Sequence, residues 1–188
     1  MDRDLDSVKV VFKCQREEIP GTVGICLNQI KEKTEGRSID EAVLSRIKWA
    51  IAELLTNAVK HSGEPESALT IKIGADELVL EKEDSGKPLV LIALDKTQIA
   101  WPLENPLSVD FAIYHNGMDS LYVRTHQSGK AIFFVEELPE VLMPLLLSDT
   151  SEHFGLLIMT KAADEFTYEY DPLKKINRFM CLFNLKTN

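Results

Sequence analysis

The stretch AELLTNAVKHS, Ala52 to Ser62, places Glu53 and Asn57 four residues apart, with Lys60 and His61 three and four residues further on. On a helix these four side chains share one stripe. Asparagine inside a helix costs up to about 0.7 kcal/mol against alanine, because its amide competes for backbone hydrogen bonds. An amide oxygen is also a hard, neutral ligand, suited to complete the octahedral shell of a Mg²⁺ held otherwise by waters and phosphate oxygens. A carboxylate one turn earlier can position and deprotonate a water or hydroxyl for attack on a terminal phosphate. The same spacing is equally at home on a solvated helix face. A second cluster, EKEDSGKPL, sets Asp84 at a strand end and Gly86 two residues later. There a carboxylate can accept a hydrogen bond from an amino group such as that of adenine, and a missing side chain lets backbone approach a flat ligand. An ordinary Asp-Ser-Gly turn reads the same way.

The elements that must position these residues follow from the hydrophobic pattern. Val43, Ile47, Ile51, Leu54, Leu55 and Ala58 keep the three-and-four spacing of one buried stripe, so a long helix carries Glu53 and Asn57. Ser38 with Glu41 has capping-box spacing at its start, and Gly63 and Pro65 end it near His61. VKVVF, Val8 to Phe12, reads as a strand, followed by a helix from the Ile19-Pro20-Gly21 break to about Glu35. LTIKIG and ELVLEKED alternate as a hairpin that runs into Asp84. DFAIYHNGMDSLYVR predicts a hairpin turning at Asn116-Gly117, and KAIFFVEEL a third strand. GLLIMTKAAD then suits a short helix, and EFTYEYD and NRFMCLFNL two closing strands around a Pro172 turn. Trp49 is expected to pack between helices, and Phe111, Tyr114, Phe133 and Phe134 in the core.

Together these elements predict an α/β (α+β) two-layer sandwich: a mixed, mostly antiparallel sheet with helices on one face. With 188 residues of which 45% are hydrophobic, the chain suits one core, a single domain over 1–188 with an insertion at 89–153. Its net charge of −9, without a basic block, argues against nucleic acid or anionic membrane as a partner and leaves a protein or small molecule. No apolar run is long enough to span a bilayer, and the acidic start differs from a signal peptide, so a cytoplasmic location is expected. Cys14, Cys26 and Cys181 form neither a CxxC pair nor a disulfide framework and are expected to be buried free thiols.

In this order the segments resemble the Bergerat-fold (GHKL, histidine-kinase-like) ATPase superfamily, and within it the bacterial anti-sigma factor serine/threonine kinases. IPGTVGICLNQIKE is similar to their first helix, AELLTNAVKHS to their N box, EDSGKP to their first glycine box, and ADEFTYEY with NRFMCLFNL to their last two strands, Asn177 opening the final one. The resemblance implies ATP and Mg²⁺ as cofactors. It implies Glu53 as catalytic base, Asn57 as Mg²⁺ ligand, Lys60 and His61 near phosphate, and Asp84 with Gly86 at adenine. The second glycine box falls at Gly155, in SEHFGLLIM, where one glycine matches, so weak contact to the triphosphate is expected. Lys96, Arg124, Lys130 and His153 are candidate substitutes for the missing phosphate contacts. The family further implies transcription regulation through a sigma factor or anti-sigma antagonist as protein partner, and a homodimer. Two functions follow: an ATP-dependent protein kinase, or a degenerate pseudo-ATPase module that binds protein with weak nucleotide affinity or none. A strand this close to the first residue favours a free-standing domain over the catalytic domain of a sensor kinase.

Overall fold

The computed structural model describes residues 6–36, 39–104, 107–137 and 151–186. Ten strands and three α-helices run in the order β1 (Asp6–Lys13), α1 (Ile19–Lys33), α2 (Glu41–His61), β2 (Glu66–Ile73), β3 (Glu77–Asp84), β4 (Val90–Ile92), β5 (Gln98–Ala100), β6 (Asp110–His115), β7 (Asp119–Thr125), β8 (Ala131–Glu137), α3 (Ser151–Ala162), β9 (Glu165–Asp171) and β10 (Ile176–Asn184). Eight strands form one sheet in the order β1-β2-β3-β10-β9-β8-β7-β6, and neighbouring strands pair antiparallel. β4 and β5 form a separate two-stranded ribbon. The class is therefore α+β, the described residues forming one large antiparallel sheet, the ribbon and three α-helices.

The period-two pattern decides which face the helices cover. Leu69, Ile71 and Ile73 on β2, Leu78 and Leu80 on β3, and Cys181 and Phe183 on β10 are buried, and the residues between them are half-buried. The apolar stripe of α2 lies against this face: Ile47, Ile51, Leu54, Leu55 and Ala58 are fully buried. Each large aliphatic side chain so buried contributes roughly 1.5–3 kcal/mol before the entropy of ordering is subtracted. That burial fixes the rotation of α2, and with it the direction of the polar stripe one step around the helix.

The ends of α2 differ in part from expectation. The helix starts at Glu41 and its cap is Asp40, whose carboxylate accepts from the Ala42 N–H at 2.6 Å. Glu41 is thus a first-turn residue, and Ser38 lies outside the described residues. At the other end Gly63 takes φ +69°, the left-handed conformation that closes a helix, and Lys60 and His61 in the last turn complement the dipole. Trp49 does not pack between helices; it is 58% exposed, because it falls beside the buried stripe and not in it. The described residues of the expected insertion 89–153 fall into two sheet structures and the start of α3, and residues 105–106 and 138–150 lie outside the described residues. β6, β7 and β8 extend the main sheet beyond β9, with the β6–β7 turn at Asn116-Gly117, whereas the β4–β5 ribbon stays near the C-terminal end of α2. Phe133 stacks on Phe166 in the core, while Phe134 stacks on Tyr122. Cys26 and Cys181 are buried free thiols, Cys26 pushed up to about 11 by burial, whereas Cys14, also free, is only half-buried, beside the Ser62 hydroxyl.

Candidate functional site

Residues from separate elements meet around one cavity of about 670 Å³. Asn57, Lys60 and His61 reach it from α2, and Asp84 and Gly86 from the end of β3. The ribbon contributes Leu89, Val90 and Leu91, α3 contributes His153 and Leu156, and the sheet floor contributes Lys82, Asn177 and Phe179. The volume falls within the roughly 300–1,000 Å³ usual for small-molecule sites. On a chain of net charge −9, the described lining carries three lysines (Lys60, Lys82, Lys87) and one carboxylate, Asp84. Such a cavity attracts an anion.

Gly86 joins the strand end to the helix end. A Cβ there would lie 2.7 Å from the His61 carbonyl oxygen, 2.8 Å from Asp84 Oδ1 and 3.3 Å from the Ser62 carbonyl oxygen. The space left by its missing side chain is thus filled by the last carbonyls of α2, and glycine is required for that approach. Ser85 adds a hydrogen bond to Glu64 at 3.0 Å.

Asp84 belongs to a closed network. Its Oδ1 accepts from the Gly86 N–H at 2.9 Å and from Asn177 Nδ2 at 2.9 Å, and its Oδ2 is ion-paired with Lys82. Asn177 Nδ2 also donates to the Gly86 carbonyl at 3.0 Å, and its Oδ1 accepts from the Tyr168 hydroxyl at 2.6 Å. That hydroxyl accepts from the Leu89 N–H at 2.9 Å, which ties the ribbon to the sheet. Trp101 packs edge-on against Tyr168 and donates Nε1–H to the Gly129 carbonyl at 2.7 Å. Burial pushes the Asp84 carboxyl up, but the Lys82 charge and the hydrogen bonds from Lys82, Asn177 and Gly86 outweigh it and hold Asp84 below the usual carboxylate range. Burial pushes the Tyr168 phenol up, so it stays a neutral donor.

The other end of the site is built differently. Gly155 of α3 lies directly over Glu53 and Asn57: a Cβ at Gly155 would be 2.8 Å from Glu53 Oε2 and 3.8 Å from Asn57 Oδ1. Glu53 is half-buried beneath this crossing and is not among the cavity-lining residues. Burial raises its carboxyl above the ordinary value, and the nearby Lys60 charge opposes that rise. Gly155 lies within a helix here, so its backbone is committed to α3. Of the candidate substitute cations, Arg124 pairs with Asp110 and Lys130 with Glu165, and neither lines the cavity; His153 does.

Sequence reasoning passed over Lys82 and Tyr168. Lys82 had a readable signal, since it interrupts an inward-facing run Leu78, Leu80, Lys82, Asp84 in which a lysine must be buried. Tyr168 had none, because a tyrosine on a closing strand is ordinary core until its hydroxyl partners are known. Searches against protein-family models and curated proteins gave no match to this chain.

Proposed function

We propose that this chain is an ATP-binding regulatory protein on a Bergerat-type, histidine-kinase-like fold. Its adenine nucleotide occupies the cavity between α2, the end of β3 and the β4–β5 ribbon, and its action is on a protein partner of the sigma-factor or anti-sigma-antagonist kind. One observation carries the reading: Asn57, Lys60, His61, Asp84 and Gly86, singled out from two sequence segments, line one cavity whose described lining has more cations than carboxylates. Asp84 and Gly86 form the base end. Lys60 attracts phosphate, and His61 and His153 bring ring nitrogens to the same cavity. Asn57 suits Mg²⁺ as a single neutral oxygen ligand on the cavity wall, since that ion keeps most of its waters and takes the rest of its shell from phosphate. Bound Mg²⁺ would neutralise phosphate charge.

The coverage of Glu53 by Gly155 favours nucleotide as a regulatory ligand over nucleotide as a phosphoryl donor. A base must reach the hydroxyl it activates, and this one is turned under α3. The kinase reading keeps one observation in its favour, the raised pKa of Glu53, which suits a general base. Calorimetric titration with Mg-ADP tests the shared claim. Wild type is expected to bind and Asp84→Asn to bind at least tenfold more weakly; equal affinities would remove Asp84 from the site. Glu53→Ala separates the two readings, because it spares binding in both and abolishes phosphoryl transfer only if the chain is a kinase.

A further inference from the structure

Lys82 is 1% exposed, yet it is one of the residues that line the cavity. An ammonium has three N–H donors. Among the described residues this one donates a single hydrogen bond, to Asp84 Oδ2, and it sits 5.6 Å from the centroid of the Phe179 ring. A buried charge with unused donors beside a cavity is costly unless something in that cavity accepts from it. Asp84 is nearly saturated. Its Oδ1 already accepts two hydrogen bonds, from Gly86 and Asn177, and its Oδ2 accepts one, from Lys82. Among the described residues, one lone pair of Oδ2 is left without a donor. The floor therefore offers a cationic donor and one anionic acceptor side by side.

We infer that Lys82 and Asp84 together read the edge of an adenine base, with the Lys82 ammonium donating to the ring nitrogen N1 and the free lone pair of Asp84 Oδ2 accepting from the exocyclic amine. The inference rests on the nucleotide reading of the cavity and adds Lys82 as a specificity-determining residue. Adenine presents one donor next to one acceptor, which matches what remains open. Guanine presents two adjacent donors, N1–H and the 2-amino group, and the single open lone pair leaves one of them buried without a partner. Guanine nucleotides are therefore disfavoured by the number of available acceptors.

The experiment is a cycle between protein and ligand, with full-length protein and calorimetry. ADP is compared with 1-deaza-ADP, in which a C–H replaces the N1 acceptor and nothing else changes. Wild type is expected to bind 1-deaza-ADP about tenfold or more weakly than ADP, the range for a lost hydrogen bond from a charged donor. Lys82→Met is expected to bind the two equally. Because Lys82→Met leaves Asp84 buried without its counter-charge, thermal unfolding first checks that the variant folds. The wild-type comparison stands without the variant and decides the role of Lys82 by itself if the variant does not fold. ADP binding matched by equal 1-deaza-ADP binding in wild type would overturn the role of Lys82 and leave the nucleotide site in place. An undiminished tenfold preference for ADP in the lysine-free protein would do the same. Absence of binding by both ligands would overturn the nucleotide reading and this inference with it.

Discussion

Asp84 and Glu53 are both acids at one candidate site, and the chain treats them in opposite ways. Asp84 is held by Lys82, Gly86 and Asn177, and through Asn177 by Tyr168 and the ribbon, so its position is fixed from several elements. Glu53 is met by a bare Cα on α3 and by the field of Lys60. The first is a preorganised polar network, in which Asn177 is itself held by Tyr168. The second is a covered carboxylate. A strand end built this firmly beside a carboxylate held this sparsely is what the proposed reading, a nucleotide sensed more than consumed, requires of the site.

The contrast breaks most severely at Asn177. Asn177→Ala removes the donor to Asp84 and Gly86 and the acceptor for Tyr168, leaving buried polar groups without partners. The expected loss is about 3 kcal/mol, or roughly 6–12 °C in Tm, read by thermal unfolding. A loss below about 1 kcal/mol would mean that the network is not held together by this residue. Gly86→Ala comes next. The new methyl meets the last carbonyls of α2, which are backbone and cannot move alone, so about 1–3 kcal/mol of stability is expected to go, together with nucleotide affinity.

The two acids also differ in the sign of their pH dependence. Asp84 has a folded pKa below its unfolded value, so its stabilising contribution is present above the unfolded pKa, near 3.9, and is lost as pH falls through the folded pKa. Urea denaturation is expected to show Asp84→Asn less stable than wild type at pH 7, with the gap narrowing below about pH 4. Glu53 has a raised folded pKa, so its contribution is present at low pH and is lost as pH rises through that value. Glu53→Gln is expected to stabilise slightly at pH 7 and to match wild type below about pH 4. Parallel profiles for the two variants would contradict the difference between the acids. The smallest effect belongs to Gly155→Ala. Its methyl meets the end of the flexible Glu53 side chain, and the helix gains up to about 1 kcal/mol of propensity, so the net change is expected within about 0.5 kcal/mol. A large loss would show that Glu53 cannot move.

What the sequence made legible was whatever depends on periodicity and punctuation. The α2 stripe, the β2–β3 hairpin into Asp84, the Asn116-Gly117 turn and the Gly63 helix stop each follow from local rules. Asn57 and Asp84 could be chosen because their types were unusual for their places. What it withheld were matters of approach between distant segments. That α3 would lay Gly155 on Glu53 depends on helix packing over about a hundred residues of separation. That Gly86 would be filled by the end of α2, and that Lys82 would bind Asp84, depends on how a strand end meets a helix end. Trp49 misled because a large apolar residue beside a stripe looks like part of it until the helix rotation is known.

The central claim is that the base end of the cavity is complete and the phosphate end is not, and comparing ATP, ADP and AMP by calorimetry in the presence of Mg²⁺ tests it most directly. Asp84, Asn177 and Gly86 are fixed by mutual hydrogen bonds where the proposal puts the base, whereas the one glycine of the expected phosphate loop is spent within α3. Each absent charge-assisted contact to phosphate forgoes about 1.5–3 kcal/mol. The account predicts that ATP and ADP bind with dissociation constants within about threefold of each other and that AMP is no more than tenfold weaker. Low-micromolar ATP with AMP far more than tenfold weaker, or no binding by any of the three, would contradict it.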